Sequence, residues 1–227
     1  MPAPAYVAPA RTSYDIIIIG GAVIGSSIAY WLTEQRQSGQ SVLVVERDSS
    51  YEFSSTALST SAIRQQYSNP INVKISQFGV ELIRSFAERM APFFPGEPAP
   101  DLGFKEYGYL YCTSPEGVDA ARARVEMQRG LGAHTLWLDP GALKSRFPWL
   151  NVDDLGGGSW GSQAEGWFDS MGLLMGFRRA ARARGVEYID NAVTGITVAG
   201  RRATSVTLST GEVIACGTVV NAAGPRA

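Results

Sequence analysis

The chain has 227 residues, of which 45% are hydrophobic and 18% are charged, and its formal net charge is -1. This length allows one large domain or two small ones with a sizeable core. The balanced charge gives no sign of a nucleic-acid partner. The two cysteines, Cys112 and Cys216, lie far apart, which argues against a disulfide scaffold or a metal site. Such cysteine usage favours a reducing compartment, and we expect a cytoplasmic protein.

Residues 1–13 are rich in alanine and proline and lack the basic region and apolar run of a signal peptide. We expect a flexible extension here, as at many chain termini. Arg11, together with the absence of acidic residues before Asp15, leaves an organelle-targeting sequence as the alternative interpretation.

The most apolar stretch, DIIIIGGAVIGSSIAYWL, extends from Asp15 to Leu32. It is about as long as a membrane span of roughly 20 residues. Its β-branched run Ile16–Ile19 and the central glycines instead predict a buried strand, a turn and a helix from Ile24 to about Gln37. A second buried strand, Ser41–Glu46, follows. We therefore predict a βαβ unit and no membrane span.

The turn reads GGAVIG, a G-x-G-x-x-G motif with alanine in place of the second glycine. The first glycine permits a tight turn, the small second residue lets backbone approach a pyrophosphate, and the last glycine lets the helix pack on the strand. The helix N-terminus adds free N–H groups and a positive dipole end. An acid at the end of the second strand accepts hydrogen bonds from ribose hydroxyls. The predicted dinucleotide site comprises Gly20, Gly21, Ala22, Val23, Ile24, Gly25 and Glu46.

Two alternatives to this site remain open at the level of the motif. One is a βαβ unit that packs without any ligand. The other is an NAD site; a short-chain dehydrogenase of this length would carry a Tyr-x-x-x-Lys pair, and none of the nine tyrosines has lysine four residues later. The rest of the chain favours a flavin.

Four segments resemble the superfamily of D-amino-acid oxidase, glycine oxidase and sarcosine oxidase. They are DIIIIGGAVIGSSIAYWL with VLVVERD, then SSTALSTSAIRQQYS, then AEGWFDSMGLLMGFRRAARARGVEYIDNAVTGI, and finally VVNAAGP. The resemblance implies an α/β fold of the glutathione-reductase-like type. Such a fold has a Rossmann-type FAD-binding domain and here a partial antiparallel substrate-binding sheet.

The resemblance also implies further FAD-binding residues. The Ser/Thr-rich loop 54–68 passes beside the flavin in the superfamily, and its hydroxyls suit phosphates and the polar edges of the flavin. Arg64 falls where a basic residue stabilises reduced flavin or orients a substrate carboxylate, so it is the candidate catalytic residue. The alternative is a solvated loop with Arg64 in a surface ion pair. The residues added by the resemblance are Arg47, Ser55, Thr56, Ser59, Thr60, Ser61, Arg64, Val193, Ala222, Ala223 and Gly224.

We expect noncovalent FAD, because no histidine lies between Ser54 and Ser68 and both cysteines fall in predicted strands. The single histidine, His134, precedes the predicted strand HTLWL, and a structural role is favoured over catalysis. No metal site is predicted.

The remaining elements follow from periodicity and caps. Asn69-Pro70 begins a helix. Its apolar residues at helical spacing predict a core-facing stripe: Ile71, Ile75, Phe78, Leu82 and Phe86. We predict a strand at Phe104–Cys112, a short helix from Asp139 to about Arg146 and a helix from Asp169 to about Arg184. A final strand at Gly217–Ala222 returns to the main sheet.

These elements divide the chain into a discontinuous FAD-binding domain, residues 14–91 and 165–227, and a partial substrate-binding domain, residues 92–164. Superfamily members continue well beyond the NAAGP motif. We therefore expect this chain to be a truncated form whose partner is its missing C-terminal half or another subunit, and to be inactive in isolation.

The predicted function is FAD-dependent oxidation of a small amine or amino acid by hydride transfer to flavin N5. The alternative function is that of a non-catalytic assembly or partner protein that retains the FAD-binding fold.

Overall fold

A computed structural model describes residues 8–34 and 39–226. In chain order their strands and helices are β1 (Ser13–Ile19), α1 (Val23–Glu34), β2 (Val42–Glu46), β3 (Ala62–Ile63), α2 (Pro70–Arg84), α3 (Phe86–Met90), β4 (Tyr109–Thr113), α4 (Val118–Gly130), β5 (Thr135–Leu138), α5 (Pro140–Arg146), β6 (Gly157–Gly161), β7 (Gly166–Trp167), α6 (Ser170–Ala183), β8 (Glu187–Asp190), β9 (Val193–Ala199), β10 (Arg202–Leu208) and β11 (Val213–Asn221).

The described residues form two compact units. The first contains the residues up to Ser59, Ala87–Asp101 and those from Ser170 on, and the second contains Thr60–Phe86 and Leu102–Asp169. This division differs from the predicted domains, which place 60–86 and 165–169 with the FAD-binding part and 92–101 with the substrate-binding part. The reason is packing, since α2 lies against β3 and α4 of the second unit.

The first unit is built on a six-stranded sheet in the order β8-β2-β1-β11-β10-β9. The four strands β8, β2, β1 and β11 are parallel. The strand β10 is antiparallel to β11, and β9 is antiparallel to β10. The predicted strands at Ile16–Ile19, Ser41–Glu46 and Gly217–Ala222 are confirmed, the last as β11 paired with β1.

Both faces of this sheet are buried, which explains the continuous apolar sequence of its central strands. On one face, Ile17, Leu43 and Val45 form a buried cluster with Ile189 and Val206 of other strands in the same sheet. The other packs its residues against the helices α1 and α6, with these members: Ile16, Ile18, Val42, Val44, Ala29 and Ala181. The stretch from Asp15 to Leu32 is thus divided between β1 and α1, and no helix among the described residues is long and apolar enough to cross a membrane.

The predicted extension 1–13 lies partly outside the described residues, which begin at residue 8. Near its end the backbone is held to the first unit. The Ala10 N–H donates to Glu187 Oε1 at 2.7 Å and the Arg11 N–H donates to the Tyr14 hydroxyl at 3.2 Å. The predicted end of the first helix, Gln37, also lies outside the described residues, and α1 ends at Glu34.

The second unit contains the three-stranded antiparallel sheet β4-β6-β5 and the two-stranded sheet β3-β7. The predicted cap at Asn69 is confirmed, since Asn69 Oδ1 accepts from the Ile71 N–H at 3.1 Å. The short helix predicted from Asp139 is also present, and Asp139 Oδ1 caps it by accepting from the Ala142 N–H at 2.8 Å. The predicted strand Phe104–Cys112 begins later, at Tyr109. The helix α4 and the strand β6 were not predicted.

The predicted apolar stripe of α2 is wrong for three of its members. Ile71, Ile75 and Phe78 are 54%, 60% and 53% exposed. The buried residues of the helix are Val73, Ser76, Val80 and Ile83, which recur at the same spacing on another face. Both faces fit a helical period, and only the packing of α2 against β3 and α4 decides which of them is covered.

Candidate functional site

The glycine-rich turn joins β1 to α1 at the carboxyl end of the parallel strands. The Gly20 N–H donates to the Val45 carbonyl at 2.8 Å, and Gly20 has a φ of +96°. A Cβ atom at Gly20 would lie 2.5 Å from the Ala222 carbonyl oxygen, and one at Gly25 would lie 1.8 Å from the Gly20 carbonyl oxygen. Glycine is therefore required at both positions by close contact between backbone segments.

Glu46 ends β2 directly beside this turn. Its Oε2 accepts from the Gly21 N–H at 2.7 Å, and its Oε1 accepts from the Asp48 N–H at 3.0 Å. A Cβ at Gly21 would lie 3.1 Å from the Glu46 Cβ. The carboxylate and the glycine turn thus form one structure, in the arrangement that suits the ribose of a dinucleotide.

The NAAG segment meets the same turn from the other side, because β11 is the neighbour of β1. The Ala222 N–H donates to the Ile19 carbonyl at 2.8 Å, and the Ala223 N–H donates to Asn221 Oδ1 at 3.1 Å. Gly224 has a φ of +73°, and a Cβ there would meet open space. The segment leaves backbone next to the turn with room beside it.

The residues of the Ser/Thr-rich loop 54–68 are divided between the two units. Thr56 is 6% exposed, and its hydroxyl accepts from the Val23 N–H at 3.2 Å, which satisfies one donor in the first turn of α1. Ser55 and Ser59 belong with Thr56 to the first unit, whereas Thr60, Ser61 and Arg64 belong to the second. The Thr56 hydroxyl therefore links this loop to the start of α1.

Two other predicted residues lie at the edge of this arrangement. Arg47 is exposed directly after β2. Val193 begins β9 and packs on the core of the first unit. The segment before it reaches the end of β2, because the Asn191 N–H donates to the Glu46 carbonyl at 2.9 Å.

A buried polar cluster adjoins the turn, and sequence reasoning missed it. The Arg178 guanidinium lies 5.6 Å from the ring centres of both Tyr51 and Tyr188. The Tyr188 hydroxyl donates to Ser26 Oγ at 3.2 Å, and Ser26 Oγ donates to the Gly21 carbonyl at 2.6 Å. These residues come from α1, α6, β8 and the loop after β2, so no local pattern marks them.

Tyr51 is 2% exposed, and among the described residues nothing hydrogen-bonds to its hydroxyl. Burial raises the pKa of Tyr51 to about 12, and the Arg178 charge opposes the shift. A buried polar atom without a partner is rare in a folded chain. We call the turn from Gly20 to Gly25 the glycine cradle. The unpartnered Tyr51 hydroxyl and this cradle are the features of the first unit that best fit a bound dinucleotide.

Arg64, in the second unit, lies among tyrosine rings rather than in a surface ion pair. Its guanidinium carbon is 4.7 Å from the ring centre of Tyr67, 5.6 Å from that of Tyr109 and 5.7 Å from that of Tyr111. The Arg64 Nε is buried and has no partner within the described residues. Arg64 lines a cavity of about 410 Å³.

A buried hydrogen-bond network supports the segment that carries Arg64. Glu165 is 1% exposed, and it accepts from the Gln65 N–H at 2.7 Å and from Gln66 Nε2 at 2.9 Å. Gln66 Oε1 in turn accepts from the Ser159 hydroxyl at 2.6 Å. Burial raises the pKa of Glu165, while the hydrogen bonds and the Arg64 charge partly oppose that rise.

Of the other candidate groups, His134 and Cys216 lie away from these features, whereas Cys112 lines the same cavity as Arg64. His134 is exposed, and its carbonyl accepts from the Ser162 N–H at 3.1 Å. Cys112 and Cys216 are free thiols. Cys216 pairs with Tyr14, at the opposite end of β1 from the glycine turn.

The parallel sheet, the glycine cradle and the acid at the end of β2 define a Rossmann-type dinucleotide-binding α/β protein. The chain belongs to the FAD dependent oxidoreductase family, whose model matches residues 15–227. This membership confirms the predicted superfamily and fold class.

Known proteins show how far the likeness extends. The FAD-dependent oxidoreductase domain-containing protein 1 of Bos taurus is 42% identical over 182 residues, which are 79% of this chain and 37% of that protein. The mitochondrial sarcosine dehydrogenase of Mus musculus is 29% identical over 192 residues, which are 84% of this chain and 20% of that protein. The chain thus spans less than half the length of these relatives.

Among solved structures, the L-proline dehydrogenase of P. horikoshii superimposes with a TM-score of 0.74 and is 26% identical. The match covers 93% of this chain and 53% of that enzyme's chain.

The close backbone contacts of the glycine turn predict that adding a single methyl group at Gly25 strongly destabilises the fold. We expect Gly25→Ala to lower the free energy of unfolding by about 3 kcal/mol or more, because the added Cβ would overlap the Gly20 carbonyl oxygen. Chemical denaturation measures the change. Gly130→Ala is the matched control, since a Cβ there meets nothing within 4 Å, and it should shift stability by no more than about 1 kcal/mol. Equal effects of the two substitutions would contradict this account of the turn.

Tyr51 and Tyr188 should respond differently to loss of the hydroxyl in the flavin-free chain. We expect Tyr51→Phe to leave stability unchanged or to raise it, because its hydroxyl is buried without a partner among the described residues. Tyr188→Phe should cost about 1 kcal/mol, because it removes the hydrogen bond to Ser26. Denaturation of both variants tests the pair, and a larger loss for Tyr51→Phe would disprove it.

Glu165 predicts a pH dependence of stability. Its pKa is raised in the folded chain, so between the unfolded and folded pKa values the folded state binds more protons. The contribution of Glu165 to stability is therefore full below its unfolded pKa and declines as the pH rises through the folded value. The free energy of unfolding of wild type relative to Glu165→Gln, measured by denaturation at pH 4, 6 and 8, should fall across this series. A difference that stays constant or grows with pH would contradict it.

Proposed function

We propose that this chain forms the FAD-binding part of an oxidoreductase that acts on amines or amino acids. The observation that carries the proposal is the cradle of Gly20 and Gly25 with the Glu46 carboxylate hydrogen-bonded to the Gly21 N–H. The names of the matched proteins, sarcosine dehydrogenase and L-proline dehydrogenase, support nitrogen-containing substrates.

In this proposal the pyrophosphate of FAD lies over the glycine turn and the N-terminus of α1, where backbone N–H groups and the helix dipole favour negative charge. Glu46 accepts hydrogen bonds from the ribose hydroxyls. The backbone of Ala222, Ala223 and Gly224 borders the same space. The Tyr51 hydroxyl, buried without a partner in the described chain, adds a donor beside Gly21.

FAD supplies the hydride acceptor, flavin N5, for the C–H bond next to the substrate nitrogen. Arg64 would hold the carboxylate of an amino-acid substrate within the cavity of the second unit, with its guanidinium oriented by the rings of Tyr67, Tyr109 and Tyr111. Glu165 and Gln66 would keep that segment in place by the hydrogen bonds described above.

The proposal includes noncovalent attachment of FAD. Cys216 lies beside Tyr14, at the far end of β1 from the turn. Cys112 lines the cavity of the second unit, but burial raises the pKa of its thiol and so disfavours the nucleophilic thiolate. Flavin should therefore leave the polypeptide on denaturation. Mass spectrometry of the released nucleotide is expected to find FAD; NAD or FMN alone, or flavin retained on the denatured chain, would overturn this part.

Turnover by the isolated chain is not expected. The solved L-proline dehydrogenase is about twice the matched length, which supports a need for further protein in a complete site. We expect FAD-loaded residues 1–227 to show no anaerobic flavin reduction with glycine, sarcosine, dimethylglycine, L-proline or D-amino acids. Reduction by one of these amines should follow when polypeptide corresponding to the unmatched length of the bovine relative is supplied. Reduction by the isolated chain would refute its inactivity, and none in the supplemented protein would refute the amine-oxidising function.

Glu46 gives the sharpest test of the cofactor site. We expect Glu46→Gln to weaken FAD binding at least about tenfold, because charge-assisted hydrogen bonds to the ribose become neutral ones. Quenching of flavin fluorescence measures the affinity, and circular dichroism verifies the fold. Glu52→Gln removes an exposed acid from the following loop and should change the affinity little. If Glu46→Gln binds FAD as tightly as wild type, the carboxylate has no part in the site.

A further inference from the structure

The cavity of the second unit carries more positive charge than a substrate with a single carboxylate would neutralise. It has a volume of about 410 Å³, within the range of small-molecule sites. Its lining contains two arginines, Arg64 and Arg124, and no aspartate or glutamate. The cavity is therefore cationic, and its volume exceeds what glycine or sarcosine would fill.

Arg124 lies on the face of α4 that borders the cavity. Ala121, Val125 and Gln128 of the same helix also line it, at the three- and four-residue spacing that places side chains on one face. Within the described part of the chain, no acidic side chain forms an ion pair with Arg124. Its side chain is exposed, so it can meet a ligand without losing an internal partner.

Gln128 adds a fixed acceptor to the same face. It is 3% exposed, and its Nε2 donates to the Tyr67 carbonyl at 2.9 Å. This hydrogen bond fixes which end of the amide is the oxygen, and Oε1 is left buried without a partner among the described residues. An unpaired acceptor on a residue that lines the same cavity as two arginines suits a ligand that carries both N–H donors and negative charge.

We infer that Arg124 binds a second anionic group of the substrate, and that the substrate class is amino acids with an additional carboxylate on the side chain or on the nitrogen. This inference rests on the proposed function, in which Arg64 holds the first carboxylate. The substrate N–H groups would donate to Gln128 Oε1, while Tyr67 and Tyr111 border the carbon chain.

The test uses two probes of nearly equal shape, glutarate and its monoamide glutaramate, titrated into the 227-residue chain at low ionic strength. Ligand-observed NMR measures both affinities, with no requirement for flavin. We expect wild type to bind glutarate about two- to fivefold more tightly than glutaramate, as for a single ion pair at an exposed site. Arg124→Gln should abolish that preference while leaving glutaramate binding unchanged.

Arg122→Gln is the matched control, since Arg122 lies on the same helix but does not line the cavity, and its guanidinium stacks on Trp137 at 4.9 Å. It should keep the full preference for glutarate. Arg64→Gln should weaken both probes. The inference is overturned if wild type does not discriminate between the probes, if it binds neither, or if Arg122→Gln loses the preference as Arg124→Gln does.

These outcomes are separate from the failure of the proposed function. If the preference for glutarate depends on Arg124 but no amine reduces the flavin, the second anion site is supported and the proposed oxidoreductase function is refuted. If amines reduce the flavin but the protein shows no preference for glutarate, the proposed oxidoreductase function is supported and the second anion site is refuted.

Discussion

The arrangement of the first unit depends on how closely three backbone segments approach one another at the carboxyl ends of β1, β2 and β11. The Gly20 position faces the Ala222 carbonyl, and the Gly25 position faces the Gly20 carbonyl, at distances that exclude any side chain. This contact fixes the start of α1 relative to the sheet. It also brings Glu46 and the NAAG segment to the same place, so the candidate cofactor residues share one geometric origin.

Elements governed by local and nearest-neighbour rules could be predicted from the sequence. The strands β1 and β2 are apolar on both faces, and the caps Asn69 and Asp139 bond to their own helices. The need for glycine at Gly20 and Gly25 can be predicted from the motif because it is steric and lies within a short segment. The last glycine of the motif, however, makes its closest approach to the carbonyl of the turn itself rather than to the strand.

Features that depend on distant pairing could not be predicted. Two helical faces of α2 fit the same period, and only the neighbours of the folded helix select the one with Val73 and Val80. Gln65 and Glu165 are bonded across 100 positions of sequence, and Ser26 and Tyr188 across 162. Polar residues so far apart carry no joint periodicity, and their partnership becomes visible only when the chain is folded. The helix α4 has a low apolar content, so its helical pattern in the sequence is weak, and it carries the second arginine of the cavity.

The hydrogen bond from Gly21 to Glu46 has a consequence for the kinetics of cofactor association. Together with the bonds from Ser26 to the Gly21 carbonyl and from Val23 to Thr56, it fixes the turn on three sides before any ligand arrives. Ordering a residue's backbone costs about 1–2 kcal/mol in conformational entropy. The turn loses this entropy when the chain folds, so the loss does not weaken cofactor binding. The turn thus presents a preorganised surface to an incoming dinucleotide, and association requires no further ordering of the turn itself.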